Sequence, residues 1–390
     1  MATASPWQRP LGGHADLAIV GGGVIGAATA YWIRRLAPDA RVVLLEADRV
    51  ASGASGRNAG FLLLGTHSDY ASAVAAYGRE RARGLWRFTQ DTFFHVAEEI
   101  DDGTIGLETA GSVIAAGDAE EADRLRRSHR LLAADGVESQ LLDADATEAR
   151  AGVRGMHGAL FVPEGGGVDP VRLVRRLVAQ SRARLHEGVR VTHVRRAGTA
   201  VELATDDGAF VADRVLLAPG PRLPQLVPAL ASRVRPVRAQ MLATAPLAPC
   251  LPLPVYSHEG FFYLRQLADG RIYLGGARHL HAAGEVGHED ATTDALQADL
   301  EAYLRRHVAG AARATVERRW SGTMGFSPDG LPTLGPVPGV EGAHYATGFT
   351  GHGMGYGVRF GLLAARRLLD RPDELADLFE ERPNPDPAAG

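Results

Sequence analysis

The chain contains no lysine among its 390 residues and a single cysteine, Cys250. Without an ε-amine the protein can form no Schiff base, and it cannot carry a phosphate loop of the Gly-Lys-Ser/Thr type. One thiol excludes an internal disulfide, and with cysteine so scarce no metal site is expected. Cys250 itself lies in the proline-rich stretch 245–254 and reads as a small apolar filler. Blocks of basic residues are missing too. The arginines are interleaved with carboxylates at a formal net charge of −4, which argues against a nucleic-acid partner. The run 17–33 is apolar enough to suggest a membrane helix, but central glycines break it, so no span is expected. Residues 1–14 are polar, carry two prolines and show no signal-peptide pattern. They are expected to form a loose tail on a cytoplasmic protein.

Glycine, by contrast, is placed with purpose. The segment Ala18-Ile19-Val20-Gly21-Gly22-Gly23-Val24-Ile25-Gly26 joins an apolar strand to a helix-like run, and Leu44-Leu45-Glu46 ends the next strand. This is the pattern of a dinucleotide-binding βαβ unit. Gly21 permits the tight turn, Gly23 lets the backbone approach a pyrophosphate, and Gly26 lets the helix lie close on the sheet. The anion is expected at the helix start, by Val24 and Ile25, where unpaired N–H groups and the helix dipole favour it. Glu46, followed by Ala47, lies about twenty residues beyond Gly26, where a carboxylate accepts from a ribose and disfavours a 2′-phosphate. The ligand is therefore FAD or NAD in preference to NADP. A glycine turn without a ligand is the plainer reading, and the agreement of strand, helix and acid argues against it.

Further along, Ser52-Gly53-Ala54-Ser55-Gly56-Arg57-Asn58-Ala59-Gly60 is a loop of small residues able to press its amides against a flat or anionic ligand. Helical spacing covers 77–100, whose aromatics read as core, and also 119–134 and 292–307. Asp169 and Pro170 have the chemistry of a helix start for 171–184. Strands are expected at 108–115, 158–161, 189–195, 200–203, 211–217 and 343–346. Segments 261–267 and 271–276 read as a hairpin turned at Ala268-Asp269-Gly270. Proline-rich breaks between Pro219 and Pro254 suggest passage into another domain. A glycine-dense turn, 347–357, precedes a helix at 358–369.

In their order these motifs resemble the FAD-dependent D-amino-acid oxidase family of glycine oxidase, sarcosine oxidase and related amine oxidoreductases. The resemblance spans nearly the whole chain. It rests on Gly21 to Gly26 with Glu46, the Ser52 to Gly60 loop, Gly167-Val168-Asp169-Pro170, and the strand into Pro219-Gly220. It continues in Tyr263-Leu264-Arg265 with Leu274-Gly275-Gly276, in Ser327-Pro328-Asp329-Gly330-Leu331-Pro332, and in Ala346-Thr347-Gly348. It implies an α/β fold with a Rossmann-like FAD domain from 15–84, 151–222 and 319–390. A smaller α+β substrate domain, 85–150 and 223–318, would roof the flavin with an antiparallel sheet. It further implies that Val189 or Val191 contacts the adenine side, that Arg57, Asn58 and Ala59 lie along the flavin, that Gly351 to Gly355, Gly353 and Met354 among them, face its pyrimidine edge, and that Gly348 belongs to the cofactor set. There the amides of a helix start would stabilise charge developing near N1. Gly220 completes the implied cofactor set. The implied reaction is hydride transfer from the α-carbon of a neutral amine to flavin N5, followed by imine hydrolysis.

The chain also departs from its relatives. The arginines that a glycine-oxidase-like pattern places near Gly322-Thr323-Met324-Gly325-Phe326 and Phe349-Thr350-Gly351-His352-Gly353 are absent. Arg265 and Arg278, by the hairpin, become the carboxylate candidates, with a surface role the alternative for either. Tyr263 joins them as a candidate on the same hairpin. No cysteine stands at Ser321-Gly322-Thr323, so the flavin is expected to be non-covalent. With no lysine to promote reaction with oxygen, either oxygen or another acceptor can take the electrons. His352 either polarises the flavin or locks the turn by bonding to backbone, and His67 is a further candidate near the same place. The expected substrate is a small amine or amino acid of the glycine, sarcosine or D-amino-acid type, and the oligomeric state is open. A nicotinamide dehydrogenase and a flavin-binding protein without catalysis are the competing readings.

Overall fold

The computed structural model describes residues 11–382. Strand Leu11–Val20 pairs in parallel with Val42–Leu45 on one side and Gly208–Leu217 on the other. Arg184–His186 and Ala343–Thr347 extend the parallel sheet, and Thr333–Pro336 closes one edge antiparallel. The hairpin Val191–Ala197 and Ala200–Thr205 branches from Gly208–Leu217. Because side chains alternate along a strand, the two faces have separate cores. Leu17, Ile19 and Leu44 pack with the helices, while Ala18, Val20, Val43 and Leu45 pack with Val215, Leu217 and Tyr345 on the other face.

Helix Val24–Leu36 is buried along its first ten residues, because the sheet covers one side and helix Gly353–Leu368 the other. The two helices meet at glycine. A methyl group on Gly361 would fall 2.6 Å from the Ala28 carbonyl carbon and 2.8 Å from the Thr29 nitrogen. Trp32 Nε1 donates to the Val358 carbonyl at 3.0 Å across the same seam. This close packing brings both helix N-termini to one side of the molecule.

A second sheet runs in the order Val316–Phe326, Arg235–Thr244, Ile272–Gly276, Phe262–Gln266, Val255–Ser257, Ser112–Ala115, Ala159–Val162, Gln140–Leu142. It is antiparallel except where Val255–Ser257 meets Ser112–Ala115. Leu242, Leu264 and Leu274 bury one face against Leu296, Leu300 and Leu304 of helix Asp294–His307. The opposite face gathers Met241, Tyr256, Tyr263, Tyr273 and Trp320 with Ala59, Phe61 and Leu63, and so turns toward the glycine-rich loop.

Several expectations shift. The first strand begins at Leu11, inside the segment expected to be a tail, and residues 1–10 of that segment lie outside the described residues. The expected 77–100 helix runs as Arg79–Phe94 with a wider helical turn at His95–Ile100, and Gly78, with φ 81°, separates it from a helix Tyr70–Tyr77 that was not expected. Ala159–Val162 and Val316–Phe326 pair within the second sheet, although all of the first and most of the second had been expected in the cofactor domain. Among the described residues no helix is long and apolar enough to cross a membrane.

Candidate active site

A cavity of about 1530 Å³ opens between the two sheets. Typical small-molecule pockets are roughly 300–1,000 Å³, so a dinucleotide and a small substrate fit together. At one end lies the βαβ turn. Gly21 takes φ 110°, a conformation open to glycine, and a side chain at Gly26 would collide with the Gly21 carbonyl. Gly26 accordingly packs helix on strand and does not reach the cavity, whereas Gly21, Gly23, Val24 and Ile25 line it. Ser55 Oγ accepts from the Val24 N–H at 2.9 Å, and a Cβ on Gly23 would lie 2.9 Å from the same oxygen. Glu46 is held by two amides, Gly22 N–H to Oε2 at 2.7 Å and Asp48 N–H to Oε1 at 2.8 Å. The carboxylate is thereby fixed at the cavity wall beside Ala47, with Val189 and Val191 nearby.

The small-residue loop is shaped by its own side chains. Arg57 Nε donates to the Ser52 carbonyl at 2.9 Å, Nη1 donates to the Ser321 carbonyl at 2.8 Å, and the guanidinium pairs with Asp290 at 2.7 Å. Asn58 Nδ2 donates to the Ala54 and Ser55 carbonyls while its Oδ1 accepts from Gly60 N–H. Ser52, Ser55, Arg57, Asn58 and Ala59 line the cavity. Gly56 and Gly60 do not: they face the Ala51 and Val168 carbonyls from within the protein, where a Cβ would clash. Both are corrected from cofactor contacts to turn formers.

The third wall is the turn before helix Gly353–Leu368. Gly220, Gly348, Gly351, Gly353 and Met354 all line the cavity. The helix begins at Gly353, five residues earlier than periodicity suggested, so its first-turn amides belong to the glycine-rich segment itself. Thr350 holds φ 45°, unusual for a branched residue, and its N–H donates to the Gly325 carbonyl at 2.9 Å. His352 is 5% exposed, and its Nε2–H donates to the Leu63 carbonyl at 3.1 Å. Burial lowers its pKa to about 4, helped by the charge of His67. The neutral ring is bonded to backbone through Nε2 and also lines the cavity, between Gly351 and Gly353.

On the roof, Tyr263 and Tyr256 stand with Phe61 in an aromatic group, ring centroids 5.2–6.5 Å apart. Burial pushes the Tyr263 hydroxyl up to about 12 and raises Tyr256 as well, so both remain protonated donors. Arg265, two residues along the same strand face, passes beyond the cavity. It is 4% exposed, and its Nη2 donates to the Val168 carbonyl at 2.8 Å with Glu108 at 3.7 Å. Burial lowers its pKa, against the pull of Glu108. Arg265 is therefore corrected from substrate ligand to a tie between the hairpin and the Gly60 and Val168 backbone.

Arg278 does line the cavity. Its guanidinium lies 5.0 Å from the Phe326 ring centroid and 5.7 Å from that of Phe261. Among the described residues no carboxylate pairs with it. Burial lowers its pKa, opposed by Tyr263. His67 shares this wall, and its pKa is lowered by burial and by the charge of Arg278. Tyr256, Phe61, Phe326 and Arg235 were missed from the sequence as cavity residues. For Phe61 and Tyr256 the signal was faint, single aromatics on strands of two and three residues. No group of three or more metal-ligating side chains occurs among the described residues.

The fixed carboxylate, two helix starts and glycine approaches fit a dinucleotide. The comparisons agree. A model of the DAO family, FAD-dependent oxidoreductases, matches residues 16–367. Glycine oxidase of Geobacillus kaustophilus is 29% identical over 93% of this chain and 95% of its own length. The crystal structure of glycine oxidase from that organism superposes with TM-score 0.81 at 26% identity, covering 95% of this chain and 99% of that one. The probable oxidoreductase OrdL of Rhizobium meliloti is 28% identical over 94% of this chain and 86% of its own length. Gamma-glutamylputrescine oxidoreductase of Escherichia coli is 26% identical over 95% of this chain and 87% of its own length. FAD, not NAD, is the cofactor, and the chain belongs to the DAO family of FAD-dependent oxidoreductases, enzymes acting on amino acids and amines.

Proposed function

We propose that the protein oxidises the C–N bond of a small amino acid, of the glycine, sarcosine or D-amino-acid type, and holds the substrate carboxylate on Arg278. One observation carries this reading: Arg278 presents a guanidinium to the cavity and has no acidic partner among the described residues. A carboxylate would neutralise it through charged hydrogen bonds, and the protonated Tyr263 hydroxyl offers a further donor.

Bound FAD supplies the hydride acceptor for the carbon bearing nitrogen. The chain supplies orientation and electrostatics. The aromatic wall of Phe61, Tyr256 and Tyr263 shields this side of the cavity from bulk water. His67, whose pKa is lowered by burial and by Arg278, lines the same wall of the cavity. The amides of the helix beginning at Gly353 offer positive potential where negative charge develops on the cofactor. Cys250, the one thiol, lies away from the cavity, so the flavin has no cysteinyl link.

Steady-state kinetics of Arg278→Gln test the assignment. The substrate constant should rise by about tenfold or more while turnover at saturation changes less, the mark of a lost charged contact. Unchanged kinetics would remove Arg278 from the site.

A further inference from the structure

Arg278 is not the lone cation on its wall. Arg235, the first residue of strand Arg235–Thr244, also lines the cavity, and its guanidinium lies 5.9 Å from the Phe326 ring centroid that Arg278 approaches to 5.0 Å. The two positive charges therefore flank one phenyl ring, no farther apart than those two distances combined. Neither has a carboxylate partner among the described residues. Elsewhere this chain pairs its arginines freely: Arg57 with Asp290 and Arg238 with Glu285 lie on neighbouring strands and loops.

Two like charges left unneutralised side by side repel each other, and each draws on the same weak ring attraction. An arrangement of this kind is relieved by anions. Arg278 is half-buried and Arg235 is exposed, so the pair leads from the mouth inward. Arg238, three residues from Arg235, is locked away by Glu285 and so does not compete for the same anion.

We infer that the preferred substrate carries two carboxylates, an amino or imino diacid whose inner carboxylate binds Arg278 and whose outer carboxylate binds Arg235 beside Phe326. The inference rests on the assignment of Arg278 proposed above. It separates this enzyme from one built for glycine alone, where a second cation has no task. A monocarboxylate occupies the inner position only.

The test uses the FAD-loaded protein and unreactive ligands, acetate and propionate against malonate, succinate and glutarate, with binding followed by perturbation of the flavin absorption band. The expected result is at least one diacid binding about tenfold or more tightly than either monoacid, with that ratio collapsing toward one in Arg235→Gln. In Arg278→Gln both classes should weaken. A diacid that binds no tighter than the monoacids, or a ratio that Arg235→Gln leaves intact, overturns the inference and spares Arg278. Insensitivity of every ligand to Arg278→Gln overturns the reading beneath it. Loss of flavin from Arg235→Gln would assign Arg235 to the cofactor and overturn the inference by that route.

Discussion

The side chains of this site divide by what their hydrogen-bonding atoms find inside the protein. Arg265 finds the Val168 carbonyl and is spent on structure, whereas Arg278 finds only rings and is left for an anion. Arg265→Gln should therefore lower stability by about 2 kcal/mol, the worth of a charged hydrogen bond in a buried place, without raising the substrate constant. Thermal unfolding beside kinetics checks both halves. His352 yields a pH prediction. Its folded pKa, about 4, lies below the ordinary 6.5, so the unfolded chain binds the extra proton between those values. Stability contributed by the neutral ring is complete above pH 6.5 and declines on acidification toward pH 4, by at most about 1.4 kcal/mol per unit. Denaturant unfolding across that window should show a shallower slope for His352→Gln. The family resemblance singled out Arg265, Arg278 and His352 together. Only the path of each side chain, set by contacts more than 90 residues away in sequence for Arg265 and more than 280 for His352, tells them apart.

At the scale of elements, the seam between helices Val24–Leu36 and Gly353–Leu368 determines where both N-termini point. A branched side chain at Gly361 would be driven into the Ala28 backbone. Gly361→Val should destabilise the protein by about 1–3 kcal/mol and also weaken FAD retention, although residue 361 is two helical turns from the cavity. Titration of the apoprotein with FAD, set against its thermal midpoint, would show this, and full affinity in a destabilised variant would contradict it. The first helix was legible because strand, glycines and apolar run agree locally, and the hairpin Phe262–Gln266 with Ile272–Gly276 because its turn residues and alternation agree. Strand Arg235–Thr244 was not. Its buried positions include Arg238 and Gln240, which satisfy Glu285 at 2.8–3.1 Å, so the apolar alternation that announces a strand is missing. Pro236 near its start reinforces the impression of a break. With that strand unseen, Arg235 could not be placed on the cavity.

For the whole molecule, a cavity lies between the two sheets, lined by the glycine-rich turns on one side and the roof hairpin on the other. The βαβ motif could be read from residues near in sequence, since phosphate-binding geometry is local, and the family and FAD from the order of motifs along nearly the whole chain. The proposed substrate site could not, since its residues come from the roof hairpin, strand Arg235–Thr244 and the loop holding His67, which meet only on folding. The most direct test is to mix the FAD-loaded protein, free of oxygen, with sarcosine, with D- and L-amino acids, with an imino diacid and with amines lacking a carboxylate, and to follow the visible flavin band. The account predicts bleaching by a carboxylate-bearing amine, shifted to about tenfold or higher concentration in Arg278→Gln. Equal bleaching by amines without a carboxylate, insensitive to Arg278→Gln, would contradict it.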